Sequence, residues 1–141
     1  MIIKNTETSE IVIMITKSFI YMLLVIMTTG NRMVSLHELK ANAKEYLEDA
    51  DHLFNKGHYN SALNLYFKAL VAICDYIILR DTGKLPRNHT ERFRILEAKY
   101  PEIYEVVDFH FNNYRRAYLM RATKEWVEVL KNDVHGLYTK I

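Results

Sequence analysis

Turn-forming residues are scarce in this chain: four glycines and two prolines in 141 residues. A sandwich or barrel of many short strands needs a turn signal about every 8–12 residues, so that class is excluded. Cysteine occurs once, at Cys74, inside an apolar stretch. There is no disulfide framework, which fits a reducing cytoplasm, and the thiol reads as a small buried hydrophobe. The formal net charge is only +2, so overall charge does not announce nucleic acid and only a local cluster could. H-E-x-x-H, C-x-x-C, a glycine-rich phosphate loop and a serine nucleophile elbow are all missing. Their absence removes the commonest signatures of zinc, redox, nucleotide-loop and hydrolase chemistry. No cofactor and no metal site is expected.

Half of the residues are hydrophobic, and they are spaced for helices. Tyr59 to Arg80 reads YNSALNLYFKALVAICDYIILR. Its polar residues Ser61, Asn64, Lys68 and Asp75 recur at three, four and seven, so on a helix they form one narrow stripe and the rest of the cylinder is apolar. Such a helix must be surrounded. Before it, Ser35-Leu-His-Glu38 is a capping box. Leu36, Leu39, Ala43, Tyr46, Leu47, Ala50, Leu53 and Phe54 then mark one buried face as far as Gly57. The short turn there makes the two helices antiparallel. After Asp81-Thr-Gly83, Pro86 forbids a helix and Asn88 or Thr90 can cap the next, about His89 to Lys99. Pro101 opens a fourth, with Ile103, Val107, Phe111, Tyr114 and Tyr118 inward and Glu102, Glu105, Phe109, Asn112 and Arg116 outward. Arg121-Ala-Thr123 breaks and caps, and Trp126, Leu130, Val134 and Leu137 mark a last helix, with Gly136 a site of fraying. The expected fold is all-α, an up-and-down bundle of about five helices, four long and one short, over residues 33–141.

Residues 1–32 differ in character. Ile11 to Thr29 is a run of nineteen mostly apolar residues interrupted by Lys17. One reading is an extension outside the globular fold, with Met33 as an alternative initiator. A second is a membrane span, in which a central Lys17 would cost roughly 2.5–3.5 kcal/mol. A third is a packed helix or strand. The segment makes a poor secretory signal, since Glu7 and Glu10 precede the apolar run and no small-x-small site follows it.

The functional candidates are basic and aromatic. Lys84, Arg87, His89, Arg92 and Arg94 form one cluster, and Arg115, Arg116, Arg121 and Lys124 another. A hairpin of the third and fourth helices about Tyr100-Pro101 would bring the two together, where arginine forks suit phosphate and rings such as Tyr114 can stack bases. Against this stands a solvated surface balanced by Glu91, Glu97, Glu102 and Glu105. His89 and His110 read as hydrogen-bonded structural histidines, and Asp108 and His110 point to different faces, so they form no local metal pair. Phe109, exposed among charges, is a candidate subunit contact or a lone surface apolar residue.

Gly57-His-Tyr59-Asn-Ser-Ala62 resembles the second half of a tetratricopeptide repeat, but a second copy about 34 residues later is missing. Read with Ala43-Lys-Glu-Tyr46-Leu47-Glu-Asp-Ala50, Leu85-Pro86-Arg-Asn-His89 and Tyr114-Arg115-Arg116, the chain from about 36 to 130 resembles the HEPN superfamily of small prokaryotic helical bundles. That resemblance implies a homodimer that associates with nucleotides or RNA, beside a nucleotidyltransferase partner or in a toxin–antitoxin pair. The nuclease members carry R-x4-6-H; here the only such spacing is Arg32 to His37, at the entrance to the first bundle helix, where the family does not place it. The expectation is a non-catalytic binder with Arg87, His89, Arg92, Tyr114, Arg115 and Arg116 as contact residues. The alternatives are a tetratricopeptide-like module for protein partners and a ribonuclease using His89. The expected location is the cytoplasm, or a membrane if residues 11–29 are a genuine span.

Overall fold

The structure, a computed structural model, describes residues 2–30 and 34–141, with side-chain environments for 8–24 and 34–141. Asn31, Arg32 and Met33 lie outside the described residues, and with them the domain boundary, the arginine of the R-x4-H match and the alternative initiator. The described backbone is all-helical: α1 (Ile2–Gly30), α2 (Leu36–Asn55), α3 (Tyr59–Thr82), α4 (His89–Lys99), α5 (Pro101–Arg116) and α6 (Lys124–Tyr138). It divides into two units, Met1–Val34 and Ser35–Ile141. The first is the single helix α1, whose described side chains are all exposed. The second is a helical bundle.

Local chemistry sets the bundle's helix ends. At the start of α2 the Glu38 N–H donates to Ser35 Oγ at 3.1 Å and the Ser35 N–H donates to Glu38 Oε2 at 3.1 Å, so the capping box is complete. Gly57 turns the chain with φ 78°, a left-handed conformation that a side chain would strain, and α3 returns along α2. Gly83 (φ 75°) ends α3, its N–H donating to the Leu79 carbonyl. Of the two candidate caps for α4, Asn88 serves: its side chain accepts the Glu91 N–H at 2.9 Å. Only Tyr100 separates α4 from α5, and its hydroxyl donates to Asp81 at 2.6 Å, fastening that corner to the end of α3. Hydrogen bonds from Arg80 and then Tyr100 hold the Asp81 carboxyl below the usual carboxylate range. Thr123 caps α6, which continues through Gly136 to Tyr138.

α3 is the spine. It packs against α2, α4, α5 and α6, and eleven of its side chains are buried, including Leu63, Leu70, Ile73 and Ile78. Each of these four contributes about 1.5–3 kcal/mol by leaving water. By length and composition α3 could cross a bilayer, but its apolar surface is spent on the core. Burial pushes the Cys74 thiol up to about 12. The polar stripe stays at the surface: Ser61, Asn64 and Lys68 are exposed and Asp75 is half-buried.

Candidate functional site

Asp75 is a carboxylate one residue beyond a fully buried cysteine, so it needs a partner. Arg92 of α4 supplies one, donating through Nε to Asp75 Oδ1 at 2.7 Å and through Nη2 to Oδ2 at 3.0 Å. This two-pronged pair takes Arg92 to 8% exposure. The remaining fork atom, Nη1, lies 2.9 Å from His89 Nδ1. A guanidinium only donates, so Nδ1 accepts and the imidazole proton sits on Nε2. Asp75, Arg92 and His89 thus form a chain that fixes the histidine's tautomer and its ring.

The chain forms one wall of a groove of about 380 Å³ among α2, α3, α4 and α5, lined also by Asn42, Tyr46, Lys68 and Tyr114. Its floor is aromatic. Tyr114 stacks on Phe67 with centroids 4.5 Å apart and planes 9° from parallel. Outside the lining, Phe111 lies 6.0 Å from Phe67 and 5.0 Å from Phe93, and His89 is 6.1 Å from Phe111. In the groove, Lys68 Nζ is 5.9 Å from the Tyr46 centroid; outside it, the Arg115 guanidinium lies 5.7 Å from Phe111 and lines a separate depression with Asn112, Arg116 and Leu119. The Tyr114 hydroxyl bonds that of Tyr118 at 2.8 Å, and this bond, with some burial, raises its pKa.

The structure therefore brings His89 and Tyr114 to one groove, with Arg92 bonded to His89 and Arg115 outside the groove against Phe111. Two further predicted contacts also stand apart. Arg87 is bound to Glu91, whose carboxylate accepts both its backbone N–H (2.9 Å) and its Nε (3.0 Å), bonds that hold Glu91 below the carboxylate range. Arg116 lies over Trp126 at 5.4 Å and touches Met120 Sδ at 3.8 Å. Phe109 is 56% exposed. Arg92 is engaged by Asp75 through two prongs of its fork and by His89 through the third. The residues missed from sequence are Asp75, Lys68, Asn42 and Tyr46. The first two belong to the polar stripe of α3, the one signal that could have found them.

Other polar groups tie helices together. Asp51 of α2 accepts from the Tyr66 hydroxyl and lies 2.9 Å from His135 Nε2. Burial, then the Asp51 carboxylate, drives the Tyr66 pKa well above its ordinary value. His110, buried on α5, bonds Asp133 of α6 at 2.6 Å. Asn60, also unforeseen, donates to the Ala117 carbonyl at 3.3 Å and accepts the Ala122 N–H at 2.6 Å, pinning the loop between α5 and α6. Among the described residues no group of three or more His, Cys, Asp or Glu could hold a metal ion. No protein-family model, curated protein or solved structure matches the chain.

Proposed function

We propose that the bundle is a HEPN-like, non-catalytic binder of single-stranded RNA or free nucleotides, and that the groove beside α3 is its site. The observation that carries this reading is the fixed His89 in one groove with the stacked Phe67–Tyr114 pair and Lys68, with Arg115 outside the groove beside Phe111. Bases stack on exposed ring faces for about 1–3 kcal/mol each, with little regard to sequence. Lys68 and Arg115 suit phosphate oxygens. His89 presents Nε2–H, a donor for a phosphate or a base carbonyl. Its other nitrogen is taken by Arg92, so the ring has no lone pair with which to remove a proton from a ribose hydroxyl. That argues for binding over cleavage.

The test is fluorescence anisotropy of a labelled single-stranded RNA with the full chain over a salt series. Binding should weaken with salt, and Lys68→Ala and Arg115→Ala should each flatten the log–log slope by about 0.7. Tyr114→Ala should weaken binding by roughly tenfold at every salt concentration. The RNA should leave the reaction at its original length. Salt-independent binding, or affinity indifferent to all three substitutions, would remove the groove as the site. Cleavage that disappears in His89→Ala would replace the binder with a nuclease.

A further inference from the structure

Three consecutive apolar residues stand in the open where α5 gives way to α6. Tyr118 is 73%, Leu119 93% and Met120 49% exposed, and Leu119 is the most exposed large apolar side chain among the described residues. Surface loops are ordinarily polar, so an outward apolar run marks a contact. The turn is already shaped before anything binds. Asn60 of α3 holds both flanks, at the Ala117 carbonyl and the Ala122 N–H, and the Leu119 and Met120 N–H groups donate back to the Arg116 carbonyl at 2.9 and 3.1 Å. The Tyr118 hydroxyl, bonded to that of Tyr114, fixes its ring at the base of the turn.

The charge around this turn has one sign. Arg116, Arg121 and Lys124 are exposed, and the stretch between Asp108 and Glu125 carries no acid. Arg116 leans on the turn itself, its Nη2 3.8 Å from Met120 Sδ. Beside Leu119 lies the depression of about 360 Å³ lined by Asn112, Arg115 and Arg116, so guanidinium groups and an exposed aliphatic side chain share one surface. The helix dipole accounts for arginines at the close of α5. It does not account for Lys124 at the first position of α6, where a cation is unfavourable.

We propose that the turn between α5 and α6 docks on an anionic phospholipid surface. Leu119 and Met120 enter the acyl boundary, Tyr118 lies at headgroup level, and the surrounding cations meet lipid phosphates. Other occupants match only half of the pattern. A second copy meeting this turn across a two-fold axis would set cation against cation. RNA would satisfy the arginines and leave Leu119 and Met120 in water. A lipid surface supplies phosphate and then hydrocarbon in the order of depth that this turn presents its cations and its apolar tip. The proposal goes beyond the groove, since Lys68, His89 and Tyr114 make no contact with the lipid.

The exposed apolar side chains of α1 can enter lipid by themselves, so the test reads the depth of residue 119 and not co-sedimentation with vesicles. Leu119→Cys in the full chain is labelled with an environment-sensitive nitrobenzoxadiazole; Cys74, the one native cysteine, is buried and does not compete. On vesicles of equimolar phosphatidylcholine and phosphatidylglycerol at low salt, the label's emission should shift to the blue and be quenched by lipids brominated on their acyl chains. Phosphatidylcholine alone, or added salt, should return it toward water. Arg121→Gln and Lys124→Gln should each move the insertion equilibrium toward water about fivefold, and Met120→Asp about tenfold or more. A label that stays in water on anionic vesicles overturns the proposal and leaves an acidic protein surface as the occupant. Insertion equal on phosphatidylcholine alone, or indifferent to all three substitutions, overturns it as well. RNA binding without vesicles is independent of these outcomes, because none of the changed residues lines the groove.

Discussion

Replacing Asp75 with alanine probes the polar chain where it meets the core. The Arg92 and Asp75 side chains are only 10% and 15% exposed. Removing the carboxylate leaves a guanidinium that has lost two hydrogen bonds and its counter-charge and has little water to replace them. Breaking a buried pair from one side costs about 3–5 kcal/mol. Residual access to water and the surviving contact with His89 place the expected loss at the lower end, about 3 kcal/mol, or roughly a hundredfold in the folded-to-unfolded ratio. The double variant Asp75→Ala/Arg92→Leu removes the stranded charge as well, and an aliphatic side chain can pack in its place, so it should recover a kcal/mol or more of that loss. Urea unfolding of the wild type, the two single variants and the double variant measures this as a cycle, read from midpoints at constant slope. A loss below about 1 kcal/mol for Asp75→Ala would show that water solvates the pair more than its burial implies. A double variant no more stable than Asp75→Ala would show that the stranded charge was not the source of the cost.

Two further outcomes follow from the packing. Cys74 has its pKa raised from 9.0 to about 12 by burial, so the folded state holds the proton more tightly than the unfolded state. Its contribution to stability is therefore complete below pH 9 and is lost as pH rises from there to about 12; the raised Tyr66 phenol adds loss in the same direction above pH 10. Thermal melts over that range, with thiol alkylation following global unfolding, check the sign, and rapid alkylation of the native chain would refute the burial. Asn60→Ala leaves the buried Ala122 N–H unpaired and should cost about 2 kcal/mol. Hydrogen exchange should then quicken at Ala122 ahead of the α3 core, and unchanged protection there would show that Asn60 does not pin the loop.

Much of the helical architecture was legible because local rules sufficed. The capping box at Ser35, the turn at Gly57, the stop at Gly83 and the cap at Asn88 each depend on a few neighbouring residues. The burial of α3 followed from a polar stripe too narrow for an exposed helix. The site was less legible, because its members are far apart in sequence. Asp75 and Arg92 belong to different helices and meet only when α4 folds back on α3. In sequence, Arg92 counted with the free bases of its cluster; in the fold Asp75 occupies two prongs of its fork and His89 the third. Arg87 and Arg116 were likewise grouped by proximity in the chain, and the fold turned one to Glu91 and the other to Trp126.

The sequence by itself therefore determined helix starts and stops, the buried spine and the outward stripe of α5, since periodicity and capping are properties of consecutive residues. Only the tertiary structure decided which charges are satisfied, which nitrogen of His89 carries its proton, and which rings form the groove floor. Those depend on what packing brings within about 3–6 Å, a distance that no spacing along the chain specifies.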